Sequence, residues 1–255
     1  MNQFLILIKK DMIELYRTKK LLIIGIIFVL FAILSPVTAY LTPNIIEMLS
    51  KSDPNVIITV PDPTYIDSYI QFFNNFSQMC TLVVIIVFAP LIVEEKRKGT
   101  FHTLLNNKVS RSNFVISKII SQLKSFTFFY IVSILIFMLY TYILFEQTLA
   151  PYWLLSFTSL YIYFIFLIGI INLMSVITKT NIMSIVASLA VFFSIMILNF
   201  IPIIGKYLPN YLITISNNLI IDNSYLQYVV VNYIVTLTLF VITVMLSIKL
   251  CHYED

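Results

Sequence analysis

Apolar residues fill this chain in long blocks separated by short polar stretches, and the length of the blocks is its first structural statement. Six windows approach the about 20 apolar residues that one helix needs to cross a hydrocarbon core. They are 21–41, 78–93, 122–145, 153–177, 182–204 and 228–248. The second is short, and Phe72 is its natural beginning. No window carries a charge near its centre, where Lys, Arg or Asp costs about 2.5–3.5 kcal/mol on insertion scales. The pattern predicts an all-α integral membrane protein, one domain over 1–255 with six transmembrane helices. The alternating ten-residue segments of a β-barrel are not present.

The stretches between the blocks have their own periodicity. Over 2–18, Phe4, Leu5, Ile8, Met12 and Leu15 recur at helical spacing while Lys10, Glu14 and Arg17 share the other side. This predicts an amphipathic helix in the membrane interface. The apolar run after it is too long for a signal-peptide core, so the segment does not read as a secretion signal. Residues 42–74 are expected to form the first extracellular loop. Pro43, Pro54, Pro61 and Pro63 make its start irregular, then Tyr65, Ile66, Tyr69, Ile70, Phe72 and Phe73 lead into the second span. Asn75-Phe76-Ser77 matches a glycosylation sequon but sits at the membrane boundary, where it reads as a structural polar step. The segment 205–227 is too apolar for a free loop and is expected to fold back as one or two short helices in the outer leaflet. Pro36, Pro90 and Pro202 are expected to kink their helices.

Composition agrees with the pattern: 60% of residues are hydrophobic and 11% charged, against about 25% charged in a soluble domain. Mean hydropathy is +0.95. With both termini inside, every basic residue but Lys51 and Lys206 falls on the inner side, while Glu47, Asp53, Asp62, Asp67, Glu146 and Asp222 fall outside. The positive-inside rule then gives a multi-pass cell-membrane protein with both termini cytoplasmic.

Catalytic chemistry is tested by what is missing. Gly25, Gly99, Gly169 and Gly205 are the four glycines, and none has the spacing and Lys of a phosphate-binding loop. Cys80 lies in the second span and Cys251 at the cytoplasmic end of the sixth, so they do not meet in an oxidising compartment, which disfavours a disulfide or zinc site. His102 and His252 lack partners at metal-ligand spacing. Glu94-Glu95 invites comparison with glutamate-type intramembrane proteases, but Gly99 stands where those carry Arg. No catalytic, cofactor-binding or metal residue is assigned. The spans carry no Asp or Glu near the midplane, which disfavours an ion relay. They do hold Asn172, Asn199 and Asn232, isolated amides open to two readings: interhelical hydrogen bonds or a translocation path.

The longest charged run, 94–118, lies between the second and third spans. Glu94 and Glu95 end one span, Gly99 permits a sharp turn, and Thr100 is placed to cap a short helix carrying Phe101, Leu104 and Leu105. Ser110 or Ser112 is placed to cap the helix that follows. Glu95, Gly99, Thr100, Leu104, Leu105, Ser110, Arg111 and Lys118 stand where the permease subunits of type 2 ABC exporters carry a charged cluster, Gly-Thr, a Leu pair, Pro-x-Ser-Arg and a Lys. The chain resembles that family, with its G-subfamily-like fold, over nearly its whole length. It departs from the pattern at Lys108, where Pro is usual, and at His102, where an acid is frequent.

The resemblance implies that 94–118 is a cytoplasmic coupling region seated on a separate ATPase subunit, with Glu94, Glu95, Gly99, Thr100, Phe101, Leu104, Leu105, Ser110 and Arg111 contributing. ATP and Mg would be bound by that partner and no cofactor by this chain. The other reading of the run is a positive-inside loop on anionic lipid headgroups. The expected partners are two copies of a cytoplasmic ABC ATPase, a second permease subunit in a homodimer, and membrane lipid, with no nucleic acid. The expected function is ATP-driven export of an apolar or amphipathic substrate such as a hydrophobic or antimicrobial peptide, a lipid-like molecule or a drug. The alternative is a membrane sensor or immunity protein that binds such a ligand without pumping it. A passive channel is disfavoured because no span carries a polar stripe.

Overall fold

The computed structural model describes residues 3–50, 62–106 and 109–253. Every regular element among them is helical. Six helical segments are long and apolar enough to cross a membrane: Lys20–Ile46, Tyr65–Arg97, Arg111–Phe145, Trp153–Ile177, Asn181–Leu198 and Asn223–Cys251. Lys51, Asp53, Pro54, Pro61 and Lys108, which entered the reading of the sequence, lie outside the described residues, as do the side chains of Glu47, His102 and His252.

Helix α1 (Gln3–Arg17) turns at Thr18–Lys19 into α2 (Lys20–Ser50), the first span. Lys19 makes the turn with φ 58°. α2 does not stop near Leu41: it runs through Pro36 and Pro43 to Ser50, so the first nine residues of the expected loop are helical. Hydroxyls of Ser35, Thr38 and Thr42 donate to carbonyls one turn back along the proline-containing stretch, the kind of adjustment that lets membrane helices tolerate proline.

The second span is compound. α3 (Tyr65–Asn75) opens where the Thr64 N–H and hydroxyl both donate to Asp67 Oδ2 at 2.8 Å. A π-helical turn at Phe76–Cys80 and α4 (Thr81–Phe88) follow, then α5 (Pro90–Arg97) begins at its proline. The span thus starts before Phe72, because Tyr65, Tyr69, Phe72 and Phe73 belong to its helix. The amide of Asn75 donates to Ser35 Oγ at 2.9 Å, the structural polar step expected of the sequon.

Short α6 (Thr100–Asn106) joins this span to α7 (Arg111–Phe145). α8 (Trp153–Ile177) and α9 (Asn181–Leu198) are spans four and five. α9 ends before Pro202 instead of bending through it: Ile201 is extended, as proline demands of its predecessor, and α10 (Pro202–Gly205) starts afresh. α11 (Tyr211–Asn218) buries Leu212 and Ile215 against the bundle before α12 (Leu226–Tyr253) crosses last.

Spans two and four form the interior, and the other four wrap them with apolar faces outward. The centre is an aromatic cluster: Phe72 stacks on Phe76 with centroids 4.1 Å apart, and Phe137 meets Tyr69 edge-on at 4.9 Å. Such pairs add about 0.5–1.5 kcal/mol each beyond area burial. α8 meets α12 closely at Gly169, where a Cβ would fall 2.5 Å from Thr243 Oγ1 and 2.9 Å from Phe240. Gly169→Val is therefore expected to destabilise the bundle by about 1–3 kcal/mol, read as a lower unfolding midpoint in detergent. An unchanged midpoint would disprove this packing.

Candidate functional site

At the α1 end of the bundle, three distant pieces of sequence meet through buried charge. Lys118, on α7, reaches Asp11 Oδ1 at 2.9 Å, Glu14 Oε2 at 3.0 Å and Glu95 Oε1 at 2.5 Å. Lys10 pairs with Glu95, and Ser117 donates to Asp11 Oδ2 at 2.8 Å. Asp11, Glu95 and Lys118 are each no more than 2% exposed. Beside them Lys20 pairs with Glu94 at 2.9 Å. The knot ties α1 to the second and third spans.

Glu94 and Glu95 face the chain's own lysines. On α1, Asp11, Lys10 and Glu14 point at the bundle, while Leu5, Ile13 and Tyr16 are exposed. The sequence held one signal of this. Asp11 lies three residues after Ile8 and four before Leu15, inside the apolar stripe, where a charge needs a buried partner.

The segment after the knot is an elbow. Gly99 has φ 74° with no described atom within 4 Å of the place of a Cβ, and this backbone conformation selects glycine there. The first backbone bond of α6 runs from Thr103 N–H to Gly99 C=O at 3.1 Å, so Gly99 holds the cap position expected of Thr100. Ser110 caps α7, accepting from Asn113 N–H at 3.2 Å. Phe101 is buried against Phe114, with ring centroids 5.0 Å apart. Leu104 and Leu105 are half-buried beside it, and Thr103 and Asn106 are exposed.

The elbow is anchored at both ends. Lys96 Nζ donates to Val176 C=O at 2.7 Å and Arg111 to Cys251 C=O at 3.0 Å. Those carbonyls lie near the C-terminal ends of α8 and α12, where the helix dipole favours a cation.

The three asparagines are not brought together. Asn172 and Gln122 exchange amide hydrogen bonds of 2.6 and 3.2 Å between α8 and α7, fully buried. Asn232 donates to Lys206 C=O at 2.9 Å, fastening the segment before α11 to the last span. Only Asn199 faces a cleft, about 330 Å³ at the opposite end of the bundle, with Asn74, Gln78, Phe193, Asn210 and Thr214. Its Oδ1 is buried without a hydrogen-bond partner among the described residues. Gln78 enters the cleft from the π-helical turn, a distortion frequent at functional sites.

Burial alone would raise the Glu14 carboxyl, but its hydrogen bond with Glu95 and the ammoniums of Lys118 and Lys10 outweigh burial and hold it at about 2. A depressed carboxylate stabilises the fold fully above its ordinary value of 4.5, and that contribution is lost as pH falls toward about 2. The unfolding midpoint of Glu14→Gln should thus lie below that of the parent at pH 7, with the gap closing through this window. A gap independent of pH would contradict the ion pairing. Lys118→Met leaves Asp11, Glu14 and Glu95 with Lys10 as their one remaining ammonium among the described residues and is expected to cost about 3–5 kcal/mol, measured by chemical unfolding in detergent.

A family model described as ABC-2 family transporter protein matches residues 5–217. No curated protein matches the chain. The match spans α1, the knot, the elbow and the first five spans, and the six apolar spans are the architecture of a membrane transport component. By that match the chain belongs to the ABC-2 family of membrane transporters.

Proposed function

We propose that this chain is the membrane half of an ATP-driven exporter, working as two copies on a pair of cytoplasmic ATPase subunits. The observation that carries the reading is the anchored elbow: α6 lies between spans two and three, and its flanking cations grip the ends of spans four and six. A partner pressing on Thr103, Asn106 and the half-exposed Leu104 and Leu105 would move a unit that reaches most of the bundle. Phe101 then serves the elbow's own packing, while Glu95 holds it to α1 and Glu94 to the start of α2. ATP and Mg belong to the partner.

The basic residues of α1 and the elbow support a cytoplasmic location for that end and for both termini. The cleft at the far end joins amides to aromatic rings and leaves the Asn199 oxygen without a partner among the described residues, which suits an amphipathic cargo released outward. A hydrophobic peptide, a lipid-like molecule or a drug has that chemistry.

The test is co-purification in mild detergent with the candidate ATPase, with ATP turnover measured with and without this chain. A stable complex whose turnover changes is the expected result; a chain that purifies alone and leaves turnover unaltered refutes the proposal. Leu104→Glu with Leu105→Glu is expected to weaken the complex more than tenfold, the order seen when an interface hot spot is lost. The unfolding midpoint of the variant must be followed in parallel, because both leucines also touch the elbow's own core.

A further inference from the structure

The knot consumes Lys10, Lys20 and Lys118, but three other cations near the α1–α2 turn pair with no carboxylate among the described residues: Arg17, Lys19 and Lys124. All three are exposed and line one cavity of about 640 Å³ between α1, the start of α2 and α7. Its remaining lining is largely apolar, with Tyr16, Phe128 and Phe129 among the walls, and none of the described residues lining it is acidic. A shallow groove along α7 shares Lys124 and Phe128 and extends to Ile131.

The depth of this cavity follows from α7. From Ser125 to Phe145 the helix rises about 31 Å, which matches a hydrocarbon core of about 30 Å. Lys124 therefore stands at the boundary between hydrocarbon and headgroups, and Lys19, one residue before the first span, stands at the boundary too. Lys19 also occupies the left-handed region, where glycine is the default and a lysine is strained.

We propose that Arg17, Lys19 and Lys124 bind the phosphate of an anionic phospholipid from the leaflet beside α1, with an acyl chain lying along Phe128 and Ile131. The three cations meet the headgroup charge, and the exposed aromatic and aliphatic side chains of α7 meet the chain. The bound lipid fills the space beneath the α1–α2 turn and so braces α1 on the side opposite the knot. The proposal needs only the membrane placement of the spans and is independent of ATP coupling, so it stands or falls separately from the exporter reading.

The test uses the purified full chain in mild detergent, titrated with phosphatidylglycerol or phosphatidylcholine and read by native mass spectrometry. Phosphatidylglycerol is expected to be retained in preference to phosphatidylcholine. Lys124→Gln and Lys19→Gly should each weaken its retention about fivefold, the effect of one interfacial cation. Lys19→Gly separates binding from folding, since removing the strain should keep or raise the unfolding midpoint while lipid is lost. Equal retention of the two lipids, or variants that retain phosphatidylglycerol like the parent, would overturn the proposal. Displacement of the lipid by millimolar inorganic phosphate would also overturn it, identifying a site for a soluble anion.

Discussion

The buried lysine at position 118 constrains the rest of the structure more than any other group. An ammonium withdrawn from water is costly unless carboxylates surround it closely, and here Asp11, Glu14 and Glu95 do so from two other elements. Hydrophobic contact between lipid-facing helices is permissive about angle and register, because lipid tails are as apolar as the side chains. A buried ion cluster is not permissive. A rotation of α1 by one residue, or a slide of the second span by one turn, would strand a charge without its partner. The knot therefore sets how three segments meet, and the aromatic cluster above it packs within that frame.

The same constraint explains what the sequence revealed and what it concealed. Span number was legible because each crossing needs a long run without charge, a signal contained in one segment. The roles of Glu94 and Glu95 were not, because their partners lie some twenty to eighty residues away and a charged run at a membrane boundary ordinarily reads as a wet surface. Asp11 was the local exception: a carboxylate within an apolar stripe announces a buried cation, and Lys118, between Val115 and Ile119, was the matching anomaly. Taken together, the two predict the contact.

Proline was read unevenly for a related reason. Pro36 and Pro43 lie inside α2, while Pro90 begins α5 and Pro202 follows the end of α9. The ring removes the same backbone donor everywhere, so the outcome depends on the neighbours. Along α2, hydroxyls one turn apart accompany the gaps; at Pro90, the preceding Ala89 carbonyl accepts from Ser184 of α9 at 2.7 Å. Before Pro202 the backbone turns extended and the span ends. Hydroxyl spacing beside a proline is thus better evidence of a continuing helix than the proline is of its end.

The elbow shows why a short helix at the edge of a bundle can matter to all of it. From the sequence, force on α6 would enter only the two spans continuous with it. The structure adds two grips, Lys96 on the last turn of α8 and Arg111 on the last turn of α12. Each places a cation on a carbonyl near a helix C-terminus, so each contact is favoured by both hydrogen bonding and the helix dipole. Because Glu95 on α5 and Lys118 on α7 also join the knot, a displacement of the elbow cannot leave α1 behind without exposing or separating buried charges. Rigid movement of these elements together avoids that desolvation and unpairing cost, whereas bending at the elbow incurs it. Under the proposed coupling, the charge arrangement therefore favours a lever over a hinge.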